Sequence, residues 1–355
     1  MTENLASDNL IRMKKPVLLL GVGGLGSRLA LKAATQLDCA CMIVTDDKRN
    51  VKDGYPSVLI DTQSWVNPSG HKLRFFAQAS AEKIRSLVAG YKTILIIGNL
   101  AGKAGIALCP IICNIIRNTQ LSDSLNNNSR SFSSMSPASR PSDPGSGTDV
   151  ISFVVMPFKF ERGRIFEAGI SLRRIREASG AVVVIDNDAF LDNNPELTIS
   201  QCYALTNRAI LDTIASLYQT EYIGKVNLLG VGRSDRDSAE RSAMDSLAML
   251  LDNTDADSVR RTLVHVMGGD GISVGVINGL VNNIQNIFRR DNLGDVDLLM
   301  TTSGLTNVHL LASVISRTKF DSYDPLSEII PSNNNLDWDE LDCSPEFNLD
   351  IRNME

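Results

Sequence analysis

The chain has 355 residues, of which 43% are hydrophobic and 5% aromatic, enough to bury one large or two medium aliphatic cores. Its net charge of −6 is unevenly distributed, because ten carboxylates lie between Asp321 and Glu355 against Arg352 alone. The rest of the chain is close to neutral, which excludes the basic stripe of a nucleic-acid-binding protein.

The predicted elements begin after a polar segment, residues 1–15, that we expect to be flexible. Val17–Leu20 is a short apolar strand of the kind that is buried on both faces of a parallel sheet. A glycine-rich turn, Gly21–Gly26, leads into a helix from about Ser27 to Leu37. The following strands and helices alternate, in the order strand Met42–Val44, helix Ala79–Ala89, strand Thr93–Ile97 and helix Ile106–Arg117. Such alternation predicts an α/β fold with a doubly wound parallel sheet.

Residues 119–149 interrupt this pattern with a stretch rich in Ser, Asn, Pro and Gly. Such a stretch buries too little surface to offset its ordering entropy, so we expect a disordered insertion. A buried strand resumes at Val150, followed by a Pro-Phe-Lys-Phe-Glu turn, an amphipathic helix and a second buried strand that precedes Asn187. Residues 198–221 then predict a long central helix with a broad apolar face.

A second, smaller α/β unit is predicted over residues 222–318. Its expected strands are Lys225–Gly230, Thr262–Met267, Asp297–Thr302 and Val308–Ser316, and its expected helices are Ser238–Asp252 and Ser273–Phe288. The predicted organisation is therefore a nucleotide-binding domain at 16–197, the central helix, this C-terminal domain, and a disordered acidic tail at 319–355.

Six scattered cysteines without a Cys-x-x-Cys pair, and only three histidines, predict buried reduced thiols and no metal site. No apolar run has transmembrane length, and the N-terminus lacks the layout of a signal peptide. We therefore expect a cytoplasmic protein without direct membrane insertion.

The glycine-rich turn fits the pattern G-x-G-x-x-G, with glycines at Gly21, Gly23, Gly24 and Gly26. Glycines let a backbone approach phosphate closely, and the helix N-terminus supplies free N–H groups and a positive dipole. Asp46, at the end of the second strand, lies where a dinucleotide-binding fold places its ribose acid. By itself this turn fits a Rossmann-type enzyme, an adenylating enzyme that activates ubiquitin-like proteins, or a tight turn with no ligand.

The remainder of the chain resembles FtsZ, the prokaryotic relative of tubulin, over roughly residues 16–317. FtsZ shares the strand-GVGGxG-helix opening, the Pro-Phe-x-Phe-Glu turn and the Asn-Asp pair after the second buried strand. The resemblance implies a GTP-binding domain, a central helix and a smaller C-terminal domain, with GTP or GDP as the ligand and Mg²⁺ as its companion.

The resemblance also implies roles for individual residues. Asn67 matches an Asn-Pro loop near the γ-phosphate, Glu161 matches a ribose-binding carboxylate, and Arg164 matches a neighbouring arginine. Asn187 matches the asparagine of the Asn-Asp pair. Tyr203 and Asn207 lie four residues apart on the central helix, and so share the face that stacks on and hydrogen-bonds guanine in FtsZ.

Two departures from FtsZ bear on the chemistry. The Gly-Gly-Gly-Thr-Gly-Thr-Gly loop of FtsZ is replaced by GNLAGKAG, which retains Gly102 but lacks both threonines and several glycines. Lys103 in this loop either places its positive charge on a phosphate or is a solvated side chain at a helix start. The Asn-x-Asp-Phe-x-Asp loop, which polarises the attacking water in the next subunit of a filament, is missing, and Glu221 is the only nearby carboxylate.

The sequence thus predicts an FtsZ-like guanine-nucleotide-binding cytoskeletal protein with absent or very weak GTP hydrolysis and no assigned catalytic residue. The resemblance implies self-association as a longitudinal filament or dimer, and a tail that binds a membrane-tethering protein; a merely solubilising tail is the alternative. A scaffold of the same fold that binds no nucleotide, and a Rossmann-type or adenylating enzyme, remain the alternative functions.

Overall fold

The protein is described from a computed structural model that covers residues 11–62, 68–130, 148–220, 222–232, 238–268, 272–288, 295–302 and 307–325. Its strands are β1 Ile11–Arg12, β2 Val17–Val22, β3 Ala40–Thr45, β4 Ser57–Leu59, β5 Thr93–Asn99, β6 Asp149–Val155, β7 Ala181–Ile185, β8 Tyr222–Ile223, β9 Val226–Val231, β10 Val259–Gly268, β11 Asp295–Thr302 and β12 Asn307–Val314. Its helices are α1 Gly23–Leu37, α2 Gly70–Ala79, α3 Ala81–Val88, α4 Lys103–Arg130, α5 Arg162–Ala178, α6 Asn187–Asn193, α7 Ile199–Thr220, α8 Ala239–Leu251 and α9 Val274–Phe288, with 3₁₀ turns at Lys48–Asn50, Ala256–Ser258 and Lys319–Tyr323.

Ten of the described strands form one sheet in the order β11-β10-β12-β9-β7-β6-β5-β2-β3-β4. Its pairs are parallel except at β12, which runs antiparallel to both β9 and β10. Helices cover both faces, because alternate residues of each apolar strand point to opposite sides. In β2, for example, Leu18 and Leu20 join one core and Leu19 the other. The predicted doubly wound α/β class is confirmed.

The sheet is continuous across the predicted boundary between the two units. Val182 of β7 lies opposite Val226 of β9, and Ile185 lies opposite Leu229. The central helix α7 packs on the sheet through a fully buried face that includes Ile210 and Ile214. The division into separate domains stays a prediction, since one hydrogen-bonded ladder joins the units.

The predicted flexible N-terminus is wrong for residues 11–15. Strand β1 pairs antiparallel with β8, with Ile11 opposite Ile223. Met13 is 6% exposed, and Ile11 packs closely against Gly180. Two apolar side chains within a polar segment are therefore sufficient to attach it to the core.

The predicted disordered insertion at 119–149 is also wrong in its first part, because α4 continues to Arg130. A helix that is already nucleated by its apolar first turns needs only weak local propensity to propagate into a polar sequence. Strand β6 begins at Asp149. Residues 131–147 lie outside the described residues.

The predicted start of the disordered tail at residue 319 is wrong, because Lys319–Tyr323 forms a 3₁₀ turn that packs against the body of the protein. Phe320 is 1% exposed, and Asp321 and Asp324 bind arginines of α5. Residues beyond 325 lie outside the described part of the chain. Among the described helices, none is long and apolar enough to cross a membrane.

Candidate functional site

Two helix N-termini meet at the carboxyl edge of the parallel strands. Helix α1 follows β2 directly and has no side-chain cap on its first turn. Helix α4 begins a few residues after β5, and a Cβ built on Gly23 would lie 3.1 Å from the Cβ of Ala104. The free N–H groups and positive ends of both helices therefore face the same region, an arrangement that binds anions such as phosphate.

The four glycines of the first turn differ in whether, and why, the structure requires glycine at their positions. Gly23 has a φ of 66°, a left-handed conformation that favours glycine. A Cβ on Gly21 would lie 2.6 Å from the Gly26 carbonyl oxygen, and a Cβ on Gly26 would lie 2.1 Å from the Ile97 carbonyl oxygen. Gly21 and Gly26 are therefore needed for close packing of β2, α1 and β5, with or without a ligand.

Gly24 and Gly102 are less confined. The nearest atom to a Cβ on Gly24 would be the Asn50 side-chain nitrogen at 3.4 Å, and for Gly102 it would be the Asn99 carbonyl oxygen at 3.5 Å. Neither glycine is required by packing, so both leave space along the edge where a phosphate would sit. Lys103, the first residue of α4, is half-buried beside Gly102.

Asn50 is a residue that the sequence analysis missed. Its side-chain nitrogen donates to Thr45 Oγ1 at 3.2 Å, which holds the amide beside Gly24. Asp46 is half-buried directly after β3, in the same connection. Asn50 follows the second strand by a few residues, and no local pattern distinguishes it from a turn asparagine. Asn67, also predicted for this region, lies outside the described residues.

The Pro-Phe-Lys-Phe-Glu turn is joined to the loop before α4. Glu161 is the N-cap residue of α5, and its Oε2 accepts the Phe158 N–H at 3.1 Å. Arg164 Nη1 donates to the carbonyl oxygen of Ala101. The start of α5, which carries Glu161 and Arg164, is thereby joined to the loop that contains Gly102, although Arg164 and Ala101 are 63 residues apart in sequence.

Tyr203 lies over this turn. Its ring packs edge-on against Phe158 at 5.5 Å, and Phe158 stacks in turn on Phe160 at 4.9 Å. Burial and the nearby Glu161 carboxylate raise the pKa of Tyr203, while Arg164 acts in the opposite direction. The structure therefore brings Glu161, Arg164 and Tyr203 together, and their part in nucleotide binding stays a prediction.

Asn187 and Asn207, two of the predicted nucleotide-binding residues, each have a buried side-chain atom without a hydrogen-bond partner among the described residues. Asn187 is fully buried, and its Oδ1 accepts the Thr206 hydroxyl at 2.9 Å, while its Nδ2 has no hydrogen-bond partner within the described residues. Asn207 Oδ1 is likewise buried and unpaired in this part of the chain. The Asn187 side chain is thus bound to Thr206, the residue before Asn207 on α7, although consecutive side chains on a helix point about 100° apart. Buried amides are normally paired, and unpaired atoms of this kind fit a bound polar ligand.

An acidic cluster next to Asn187 was not predicted. Asp186 is 1% exposed, accepts the Asp188 N–H at 3.0 Å and forms an ion pair with Lys319. Asp188 accepts the Lys159 N–H at 2.6 Å. Burial, and then the neighbouring Asp186 carboxylate, raise the pKa of Asp188 to about 6. The Lys319 partner comes from the distant 3₁₀ turn, so no local sequence signal reveals the cluster.

Comparisons with known proteins concern the sequence and the fold of the chain. No protein-family model matches the chain. In sequence, the chain is 26% identical over 301 residues to cell division protein FtsZ 2 of Pyrococcus furiosus, covering 76% of this chain and 68% of that protein. It is 22% identical over 313 residues to FtsZ 1 of Halobacterium salinarum, covering 80% and 72% respectively.

Solved structures give the same result for the fold. An FtsZ mutant of M. jannaschii superposes with a TM-score of 0.63 at 15% identity, covering 84% of this chain and 91% of that one. A GTPγS-bound protofilament of CetZ2 from Haloferax volcanii superposes with a TM-score of 0.58 at 16% identity, covering 88% and 97%. The fold is therefore that of the FtsZ/tubulin class. In sequence the chain is similar to FtsZ proteins over most of its length, and the predicted resemblance is confirmed.

Proposed function

We propose that this FtsZ-like chain binds a guanine nucleotide at the carboxyl edge of β2, β5 and β7. The observation that carries the proposal is a buried amide nitrogen on Asn187 and a buried amide oxygen on Asn207, each without a hydrogen-bond partner among the described residues. Leaving such atoms unpaired costs about 1–3 kcal/mol each, and a bound base would remove that cost. Guanine presents carbonyl and ring acceptors together with an exocyclic amino donor, so it can satisfy both amides.

The other predicted residues have consistent places around such a nucleotide. In this proposal Tyr203, whose ring contacts Phe158, stacks on the base, and Glu161, the N-cap residue of α5, accepts from a ribose hydroxyl. The N-termini of α1 and α4 face the phosphates, with Gly24 and Gly102 leaving room and Lys103 adding charge. Mg²⁺ would be held chiefly by phosphate oxygens and water, as is usual for this ion in nucleotide sites.

Calorimetry with the purified full chain tests the proposal. We expect GTP or GDP to bind at least about tenfold more tightly than ATP, a difference of about 1.4 kcal/mol. Equal affinities for guanine and adenine nucleotides would contradict it. Extraction of co-purified nucleotide followed by chromatography is an independent measurement.

One observation favours a scaffold that binds no nucleotide. In the loop before α4, the Ala101 N–H is taken by Asn99 Oδ1 at 2.9 Å, and the Ala101 carbonyl is taken by Arg164. These internal bonds hold the loop without a ligand. No binding of any nucleotide in the calorimetric experiment would favour this alternative.

We further infer self-association and weak hydrolysis. Related structures include an FtsZ dimer of M. jannaschii and the CetZ2 protofilament, which supports longitudinal assembly for this chain.

The inferred weak hydrolysis rests on the end of the central helix. Helix α7 ends at Thr220 and β8 begins at Tyr222, which leaves no room for the FtsZ loop between them. The acidic tail, beyond the described residues, remains a proposed attachment site for a membrane-tethering protein.

A further inference from the structure

One face of α5 holds the C-terminal end of the described chain. Arg176 donates to Asp321 Oδ1 at 2.6 Å and to Thr318 Oγ1 at 3.0 Å. One turn earlier, Arg173 forms an ion pair of 3.2 Å with Asp324, which is 3% exposed.

Gly169 fixes how closely this segment approaches α5. A Cβ on Gly169 would lie 2.6 Å from the Tyr323 carbonyl carbon, so backbone meets backbone there. Residues 318–324 therefore run from the C-terminal end of α5 towards its N-terminus.

The same face of α5 continues beyond the held segment. Phe166 and Arg162 precede Gly169 by three and seven residues, a spacing that keeps all three on one side of a helix. Phe166 is 41% exposed, and Arg162 is exposed and forms no ion pair within the described part of the chain. At about 1.5 Å per residue, Phe166 and Arg162 lie about 5 and 10 Å beyond Gly169 along the axis.

The residues that follow the anchored segment match this surface in chemistry and in reach. The sequence continues from Pro325 as Leu-Ser-Glu-Ile-Ile, which places Leu326, Glu328, Ile329 and Ile330 directly after the anchor. An extended chain advances about 3.3 Å per residue, so about two residues span the distance to Phe166 and about three span the distance to Arg162.

The geometry points to an intramolecular docking site for residues 326–330 on this face of α5. The apolar side chains of that segment cover Phe166, and Glu328 pairs with Arg162. The occupant is this chain's own segment because its preceding residues are already held on the same helix face and are directed along it. Tethering supplies a high effective concentration without cost in translational entropy, which favours the chain's own segment over a free partner. Docking there places the rest of the acidic tail beside Glu161 and Arg164, at the edge of the candidate site.

Disulfide trapping in the full-length chain tests the docking. Cys343 is first replaced by serine, because it lies in the tail; the five described cysteines are buried or half-buried. The test variant carries Phe166→Cys with Leu326→Cys, because Leu326 is two residues beyond Asp324 and so falls opposite Phe166 in an extended chain. Its matched control carries Glu167→Cys with Leu326→Cys, since Glu167 is exposed, adjacent in sequence and about 100° away around the helix.

We expect the 166–326 disulfide to form at least about tenfold faster than the 167–326 disulfide in oxidised glutathione, measured by peptide mapping. Adding Ile329→Ser and Ile330→Ser should reduce the 166–326 rate to that of the control. Equal rates in the two cysteine pairs would overturn the proposal, because a freely moving tail samples both positions alike. A disulfide between two chains in place of the intramolecular one would also overturn it, and would assign the surface to a second copy.

Discussion

At the scale of single residues, Asn207 is the side chain through which nucleotide recognition is most directly tested. Its Oδ1 is buried and unpaired in the described structure, so a ligand donor there would gain a full hydrogen bond. Asn207→Ala should weaken GTP and GDP binding by about 1–3 kcal/mol, measured by calorimetry. Asn283→Ala, at an exposed position on α9, is the matched control and should leave affinity unchanged. Equal affinity of the Asn207 variant and the unmodified chain would remove Asn207 from the site.

Asp188 predicts a pH dependence of stability. Its pKa is raised from 3.8 to about 6, so the folded protein keeps a proton that the unfolded chain has released within that window. The resulting contribution to stability is present below about pH 4 and is lost as pH rises through about 6. The Asp188→Asn variant has no carboxyl proton to lose. The difference between its unfolding free energy and that of the unmodified chain should therefore change in its favour by about 1–2 kcal/mol as the pH rises from 4.5 to 7.

Urea unfolding at the two pH values measures this difference. Asp192→Asn serves as a control, since that carboxylate is 56% exposed on the same helix. If Asp188→Asn and Asp192→Asn show the same pH dependence, burial of Asp188 has no energetic consequence.

At the scale of elements, the junction of β2 and α1 separates glycines required for packing from glycines that leave space. Gly26→Ala would place a methyl group 2.1 Å from the Ile97 carbonyl oxygen of β5, and backbone there must move. We expect a loss of at least about 2 kcal/mol in unfolding free energy. Gly24→Ala would meet only the Asn50 side chain at 3.4 Å, so its effect on stability should stay within about 1 kcal/mol. Similar denaturation midpoints for both variants would contradict this assignment.

At the scale of the whole molecule, the proposed weak hydrolysis rests on what one subunit would present to the next in an FtsZ-like filament. Helix α7 passes into β8 across residue 221 alone, so the water-polarising loop of FtsZ has no counterpart between them. Loss of a positioned catalytic group costs about 10²–10⁴-fold, so phosphate release from GTP should be slower than that of an FtsZ by at least this factor. Glu221→Gln should leave the residual rate unchanged. Turnover at the rate of FtsZ in the same assay would identify a substitute group elsewhere.

Much of the architecture was determined by the sequence alone. The apolar runs of β2, β5, β6 and β7 are recognisable because strands buried on both faces contain few polar residues. Helix α7 was predicted within a residue or two of its bounds, since its apolar period extends over many turns. The combined motifs around Glu161, Asn187 and Tyr203 indicate the resemblance to FtsZ, which the comparisons confirm, while the roles of these residues in nucleotide binding stay predictions.

Only the tertiary structure decided the rest, because the deciding contacts join residues far apart in the chain. Ile11 is held by β8, and Lys319 reaches Asp186 across more than a hundred residues. The roles of Gly24 and Gly26 are indistinguishable in the motif and differ only in what β5 places beside them. Local propensity reports the period of an element and the chemistry of a turn, whereas packing and charge pairing depend on which distant surfaces meet.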